Sequence, residues 1–468
     1  MSSSLVMIMA GGKGARLGPL TCHRAKPATP FGGRYRIIDF VLSNFVNAGY
    51  TQIHVLTQYM ASSLISHLNR HWHLGGLSQF IEVVPAQMRH GVQWYRGTAD
   101  SVFQNLNLIR DAHADHVAVF GGDHIFKFNV AEMERAHKDA RADLTVAACP
   151  VPIGDAAHQF GVIEVDESGR ITGFQEKPAH PKPVPGRPDQ CLVSMGNYFF
   201  KSGVLEQALI EDDQREGSNH DFGQNVIPKM VQDGLLCRTY DLSENRIPGE
   251  SEGTPHYWRD VGTLDGYFDA NMDLRAPIPP LSLYNWRWRI RSAQRNFPPA
   301  RFVSYGSETA GCEVVDSMVC EGTIACAASL VNVLSGYDCF FHKGSRVEDS
   351  VISSGCDIGA GARLRRVLTD KNCAVAPGAV LGEDPEEDRK RFPFITERGI
   401  VVLPKGTYVP KSGPIELVAD IHALLERDSA TRGPLKAFEG RYVVSKRARH
   451  SHDSVGPRFL KFGPEAVT

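Results

Sequence analysis

The residues Gly11-Gly12-Lys13-Gly14-Ala15-Arg16-Leu17 directly follow a short apolar run, Leu5 to Ala10. A glycine-rich turn after a strand lets backbone N–H groups approach phosphate oxygens closely. Arg16 within the turn, and Arg24-Ala25-Lys26-Pro27 shortly after it, supply cations that can neutralise several phosphate charges. Taken alone, a Gly-Gly turn is an ordinary loop, and it is these cations that point to an anionic ligand. The run matches neither the Gly-x-Gly-x-x-Gly fingerprint nor the P-loop, whose Gly-Lys-Ser/Thr is missing. A dinucleotide dehydrogenase and a P-loop nucleoside triphosphatase are therefore both disfavoured. Asp123 is a second candidate: it ends the run Val117 to Phe120 through Gly121-Gly122. An aspartate so placed can hold a cation, or simply close a turn.

These residues need a scaffold, and the N-terminal half reads as α/β. Leu5 to Ala10, Thr51 to Thr57, Val117 to Phe120 and Leu144 to Cys149 are predicted strands. Phe40 to Asn47 is predicted helical, stopping near Gly49, and Ser101 to His113 places Val102, Leu106 and Ile109 on one helical face. Strands alternating with helices imply a Rossmann-like, largely parallel sheet with right-handed crossovers. Ligands of such sheets sit beyond the carboxyl ends of the strands, where both Gly11-Gly12 and Asp123 lie.

The pattern changes after Leu274. Residues 275–305 carry Pro277, Pro279, Pro280, Pro298 and Pro299 and read as a linker after a catalytic domain of residues 1–274. Ala327-Ala328-Ser329-Leu330 then aligns with Gly344-Ser345-Arg346-Val347, Gly361-Ala362-Arg363-Leu364 and Gly378-Ala379-Val380-Leu381, each quartet 17 residues after the last. A coil of that size has room for three short strands with tight turns. Residues 306–410 are therefore expected to form a left-handed parallel β-helix of imperfect hexapeptides, stable only through stacking. In the tail, 411–468, Ile415, Val418, Ile421, His422 and Leu425 suggest one amphipathic helix within 414–428, and Lys446-Arg447-Ala448-Arg449-His450 reads as a solvated basic run.

Composition narrows the classes. With 468 residues, 51 Lys and Arg against 53 Asp and Glu, the formal net charge is -2. No global field attracts nucleic acid or an anionic membrane, so anionic ligands must be held by local clusters. Leu5 to Ala10 is too short to span a bilayer and lacks the basic flank of a secretory signal, so a soluble, cytoplasmic protein is expected. The ten cysteines include no Cys-x-x-Cys pair, and six fall between Cys312 and Cys373 at spacings that look irregular. They read as reduced packing residues in preference to a zinc site or a disulfide frame.

Strand, Gly-Gly-x-Gly-x-Arg-Leu and a nearby Lys-Pro together resemble the signature of nucleotidyltransferases acting on sugar 1-phosphates. The continuation resembles the ADP-glucose branch: Phe31-Gly32-Gly33-Arg34-Tyr35-Arg36-Ile37-Ile38-Asp39-Phe40, Trp94-Tyr95-Arg96-Gly97-Thr98-Ala99-Asp100-Ser101, Gly122-Asp123-His124-Ile125, Gln175-Glu176-Lys177-Pro178, Ser194-Met195-Gly196-Asn197-Tyr198 and Tyr257-Trp258-Arg259-Asp260-Val261-Gly262. These runs occur in family order across roughly residues 5–400.

The resemblance implies attack of a glucose 1-phosphate oxygen on the α-phosphorus of ATP, with pyrophosphate leaving in line, for glycogen synthesis. Both reactants are anions, so positioning and charge neutralisation carry the catalysis. Asp123 and Asp260 are implied to hold Mg²⁺, and Arg16 and Lys26 to complete the catalytic set. Gly11, Gly12, Lys13, Gly14 and Arg16 would bind the nucleotide phosphates, and Gln87, Gly97 and Thr98 would face the nucleoside. Tyr95, Gly161, Glu176, Lys177, Ser194, Gly196 and Tyr198 would line the sugar-phosphate pocket. A homotetramer answering to small anionic effectors is also implied.

Two positions depart from the branch. The residue before Arg-Ala-Lys-Pro, basic and often Lys in relatives, is His23, and Pro85-Ala86-Gln87 is followed by Met88 where relatives carry a second Gln. His23 and Arg24 remain the candidate effector residues. The loss of a fixed charge at 23 predicts a small anionic activator other than fructose 1,6-bisphosphate, with fructose 6-phosphate, alone or with pyruvate, as the first candidate. The alternatives are the same chemistry with another base, a catalytically silent regulatory subunit, which the intact site argues against, and an acyltransferase suggested by the β-helix alone.

Overall fold

In the computed structural model, residues 4–76, 79–87, 89, 93–304 and 311–417 are described. The uninterrupted apolar run of β1 (Ser4–Met9) suits a strand covered on both faces, and Val6, Met7 and Ile8 are fully buried. It lies at the centre of a sheet, parallel to β2 (Gln52–Thr57) on one side and to β4 (His116–Gly121) on the other. β3 (Phe80–Pro85) pairs parallel with β2 and forms one edge. The parallel expectation thus holds for the strands that end at the glycine loop and at Asp123.

Beyond β4 the sheet turns antiparallel. A short ladder, β5 (Ile125–Phe126), follows Asp123 outside the main sheet. Strand β6 (Leu144–Pro152) runs three residues past its predicted end. Then come β7 (Gly161–Val165), β8 (Ile171–Glu176) and the long β9 (Gln190–Lys201). β9 pairs antiparallel with β4, β6 and β7, giving the order β8-β7-β9-β4-β1-β2-β3. β10 (Cys237–Asp241) adds in parallel to β6.

Each sheet face carries its own core. Phe45, from the helix Ile37–Asn47, packs edge-on to Phe120 of β4 at 4.7 Å. Val102, Leu106 and Ile109 cover the other face with Val117 and Val119. The single helix predicted over 101–113 is two, Thr98–Phe103 and Leu106–Ala112. The break falls at Asn105, whose side chain donates to the Ser101 carbonyl (2.8 Å) and to the Tyr95 hydroxyl (3.0 Å), competing with the helical ladder.

In the second half the 17-residue period becomes strand register: Ser329 pairs with Arg346, Arg346 with Arg363, and Arg363 with Val380. Leu330, Val347, Leu364 and Leu381 stack inward, each at most 1% exposed. Three columns of left-handed residues recur at the same period: Ala327, Gly344, Gly361 and Gly378; Asn332, Asp349 and Arg366; Asp338, Gly355 and Asn372. They are the three corners of each coil. Cys339, Cys356 and Cys373 also recur every 17 residues and are buried, which corrects the impression of irregular spacing. All ten cysteines are free thiols. After Leu381 the period doubles, Val375 pairing through its strand with Val409, because the helix Pro385–Arg391 is inserted.

One apolar cluster joins the halves. Phe31, Tyr267 and Leu274 of the catalytic side pack with Leu334, Val351, Leu368 and Val402 from the β-helix. Arg24 reaches into the same junction and forms a buried ion pair with Asp370 at 2.8 Å. At the tail, Glu416–Leu417 is a strand pairing with Thr407–Val409, where the predicted helix would begin. The rest of that helix and the basic run lie outside the described residues. Among the described residues no helix is long and apolar enough to cross a membrane.

Candidate active site

Two carboxylates are brought together by one small ladder. β5 pairs antiparallel with β11 (Trp258–Arg259), Ile125 facing Arg259. Asp123 stands two residues before the first of these strands and Asp260 immediately after the second. Between them sits the Lys26 ammonium, 3.0 Å from Asp123 Oδ2 and 2.9 Å from Asp260 Oδ1. The Lys26 side chain is 6% exposed, against 37% for Asp123 and 21% for Asp260. Burial opposes the charge on Lys26, yet the two carboxylates outweigh it and raise its pKa. Burial likewise works against the charge on Asp123, but the Lys26 ammonium and the adjacent His124 hold its carboxyl down at about 2.

The glycine loop lies beside this triad. Gly14 is left-handed at φ 63, and a Cβ there would come within 2.7 Å of Lys26 Cβ, so only glycine allows the loop to lie against the lysine stem. Gly11 passes close to Gln58, with a would-be Cβ 3.1 Å from Gln58 Cβ, while Gly12 has open space. Lys13 is exposed, its ammonium 5.8 Å from the centre of the Tyr59 ring. Arg16, two-thirds exposed, reaches to 3.9 Å from Asp260 Oδ2. The structure therefore gathers Gly14, Arg16, Lys26, Asp123 and Asp260, from three distant stretches of sequence, into one place.

The expected sugar side is built differently. Gly161 and Glu176 face each other across β7 and β8. Lys177 follows in a left-handed conformation (φ 49), half-exposed, its N–H donating to the Phe160 carbonyl at 3.1 Å and its ammonium 3.4 Å from Glu176 Oε1. A left-handed non-glycine residue is strained and suits a functional turn. In β9 the register slips between Ser194 and Tyr198. Gly196 (φ 67) lies in that bulge, where a Cβ would be 3.7 Å from the His124 ring. The bulge thus links the sugar side to the carboxylates. Tyr198 is buried against Phe222 (5.3 Å) and Phe200 (5.9 Å), and burial pushes its hydroxyl pKa well up.

Three expected nucleoside residues have other partners. A Cβ on Gly97 would lie 2.2 Å from the His220 carbonyl oxygen. The Thr98 hydroxyl donates to Asp221 at 2.8 Å and accepts from the Phe222 N–H at 3.0 Å. Gly97 and Thr98 therefore tie the Thr98–Phe103 helix to the 219–222 segment. Tyr95, expected in the sugar-phosphate pocket, is fixed through its N–H to Gln58 Oε1 at 2.6 Å. Gln87 is exposed and meets Arg89 at 3.3 Å, next to residues outside the described set. Of the effector candidates, His23 is exposed, whereas Arg24 is buried and committed to Asp370 and the Leu20 carbonyl.

Two further residues, His124 and Trp258, to which the sequence pattern assigns no role, line the carboxylates. His124 Nε2 lies 3.7 Å from Asp123 Oδ1 and 3.8 Å from Asp260 Oδ1, and its ring meets Trp258 edge-on at 5.4 Å. His124 Nδ1 and Trp258 Nε1 are buried with no hydrogen-bond partner among the described residues. Their only mark in the sequence is nearness to a carboxylate, His124 following Asp123 and Trp258 standing two residues before Asp260. Two carboxylates around an ammonium are a hard-oxygen set that fits Mg²⁺, which binds through one or two carboxylates and completes its shell with substrate phosphates and water. Among the described residues no larger cluster of His, Cys, Asp and Glu suited to a metal occurs.

Comparison with known proteins adds to this geometry. Residues 5–276 match the family model described as Nucleotidyl transferase, and residues 298–403 match GlmU-like, C-terminal hexapeptide. The chain is 46% identical over 410 residues to glucose-1-phosphate adenylyltransferase 1 of Vibrio parahaemolyticus, covering 87% of this chain and 100% of that relative. It is 46% identical over 413 residues to the glucose-1-phosphate adenylyltransferase of Anaeromyxobacter sp., covering 87% and 100% of the two chains. It is 45% identical over 408 residues to that of Deinococcus radiodurans, covering 86% and 98%.

Proposed function

The chain belongs to the glucose-1-phosphate adenylyltransferase family, and from that premise we propose how its residues carry the reaction. It transfers the adenylyl group of ATP to α-D-glucose 1-phosphate, giving ADP-glucose and diphosphate. The observation that supports this most strongly is alignment at about 45% identity across nearly the whole length of such relatives, over an intact site.

The glycine loop with Lys13 and Arg16 takes the triphosphate, Arg16 stabilising charge on the departing diphosphate. Asp123 and Asp260 hold Mg²⁺, which when bound supplies neutralising charge at the reacting phosphates. Lys26 adds a buried cation at the same point. On the sugar side Lys177 pairs with the phosphate of glucose 1-phosphate, and Glu176 accepts from sugar hydroxyls. No residue has to act as proton acceptor, because the attacking phosphate is already ionised at neutral pH. Gly97, Thr98 and Tyr198 act by shaping the walls.

The product feeds glycogen synthesis, and the protein works in the cytoplasm as a homotetramer. Regulation by a small anion would act at the junction with the β-helix. There Lys371 is pushed down to about 7, first by burial and then by Arg36, Arg24 and Arg295 nearby. A cationic cluster of that kind favours an anion. The deciding experiment measures initial rates with ATP, UTP, GTP and dTTP against glucose 1-phosphate. ATP should dominate; a preference for another base would overturn the adenylyl reading, and absence of turnover in the pure protein would favour a silent subunit. The same assay with fructose 6-phosphate and fructose 1,6-bisphosphate, in wild type and His23→Lys, tests the effector reading. It fails if the bisphosphate is the stronger wild-type activator.

A further inference from the structure

We infer that the Lys26 ammonium is a built-in competitor for the divalent cation: it holds the point between Asp123 and Asp260, and must yield it when nucleotide and metal bind. The inference rests on the reading that these two carboxylates are the cation's ligands. The geometry is that of an ion in a two-carboxylate seat, with contacts of 3.0 and 2.9 Å to an oxygen of each. The ammonium is well covered, the lysine side chain being 6% exposed, whereas Asp123 and Asp260 remain 37% and 21% exposed and so reachable by a cation. A divalent ion bonded to the same oxygens at roughly 2.0–2.1 Å would stand against the ammonium, and the two like charges would repel at close range.

The lysine has one other place to go. Its stem runs against Gly14, where a Cβ would approach within 2.7 Å, so the first carbons are fixed and only the end can move. Pro27 fixes the backbone beyond it. The loop that presses on the stem, Gly11 to Gly14, is the one placed to receive phosphates. A bound triphosphate therefore offers the ammonium new anionic partners beside the ones it leaves. The consequence is coupling: the cation binds weakly alone and tightly with nucleotide, because the nucleotide removes the occupant of its seat. By reciprocity, the cation tightens nucleotide binding by the same factor.

The test reads metal binding and not turnover. Free Mn²⁺ is measured by electron paramagnetic resonance during titration of wild type, Lys26→Met, Lys26→Gln, Lys26→Arg and Asp123→Asn, each alone and with α,β-methylene-ATP. Without nucleotide, the neutral variants should bind Mn²⁺ at least about tenfold more tightly than wild type, since they lose the repelling charge. Lys26→Arg, which keeps the charge, should not. Lys26→Gln retains a hydrogen-bond donor between the carboxylates and serves if the methionine variant does not melt cooperatively. Neutral variants that bind Mn²⁺ no more tightly than wild type would overturn the inference, as would equal tightening in Lys26→Arg. Unchanged Mn²⁺ binding by Asp123→Asn with the analogue would instead sink the carboxylate reading on which the inference stands.

Discussion

The carboxylate pocket and the β-helix are shaped by opposite means. In the pocket, charged side chains from distant stretches fix one another: Lys26 is held by Asp123 and Asp260, and Arg16 approaches from the rim. In the β-helix, backbone conformation does the positioning, through three left-handed corners per coil around an apolar interior. Charge concentrated in one place favours chemistry at some expense of stability, whereas repeated corners and stacked Leu and Val favour stability. Substitutions in the first region should therefore change rate, and substitutions in the second should change melting.

The sharpest break is Asp123→Asn. It removes a carboxylate that matters most in the transition state, and turnover should fall by at least about 10³-fold while the fold persists. Steady-state rates with circular dichroism decide it; retention of a tenth of wild-type activity would defeat the assignment.

The boundary between the regions is tested next. Arg24 and Asp370 are a buried ion pair of pocket type placed at the β-helix junction, their side chains 6% and 1% exposed. Asp370→Ala should cost about 3–5 kcal/mol, because it leaves a buried guanidinium unpaired. The double variant Arg24→Met with Asp370→Leu should recover much of that loss. Chemical denaturation of the three proteins measures it, and equal losses in single and double variants would show that burial alone is being lost.

On the sugar side, Lys177→Ala should raise KM for glucose 1-phosphate roughly 10- to 100-fold, the value of one charge-assisted contact, with KM for ATP nearly unchanged. A parallel rise in both constants would make Lys177 structural, in keeping with its strained backbone.

The smallest effects lie in the corners. Ala327 holds the left-handed place that Gly344, Gly361 and Gly378 hold in later coils. Ala327→Gly should stabilise by about 0.5–1 kcal/mol, and Gly344→Ala should destabilise by about 1–2 kcal/mol. Gly344 has nothing nearer than 3.9 Å to a would-be Cβ, so its change reads backbone strain without a clash. Opposite signs in thermal melts would sharpen the contrast between regions; like signs would dissolve it.

Local chemistry decided what could be read in the sequence. The glycine loop, Asp123 after its strand and the 17-residue period are short-range patterns, and each reappears in the structure with its register intact. The convergence of Lys26 on both carboxylates is a tertiary event that no spacing encodes. His124 and Trp258 stood within recognised runs, yet nothing in their types distinguishes a site wall from a core residue. The division of the helix at Asn105 depends on a side chain finding Tyr95, and the antiparallel half depends on one twelve-residue strand, β9. The cysteine column hid because earlier cysteines, at 312, 320 and 326, blur a period that begins only at Cys339.

The Arg24–Asp370 contact also makes the β-helix a ruler. Each coil advances the stack by one strand spacing, about 4.8 Å. A repeat gained or lost before residue 370 would leave every inward Leu and Val with a proper neighbour, and by its own packing the helix would tolerate it. The same change would carry Asp370 a full strand spacing from a guanidinium that now sits 2.8 Å away. The number of coils between linker and junction is thus counted from outside, by the catalytic half. Beyond that contact, after Leu381, the period is interrupted by an inserted helix, yet the chain comes back into register and returns to the junction at Val402, so the insertion is accommodated between two points of attachment.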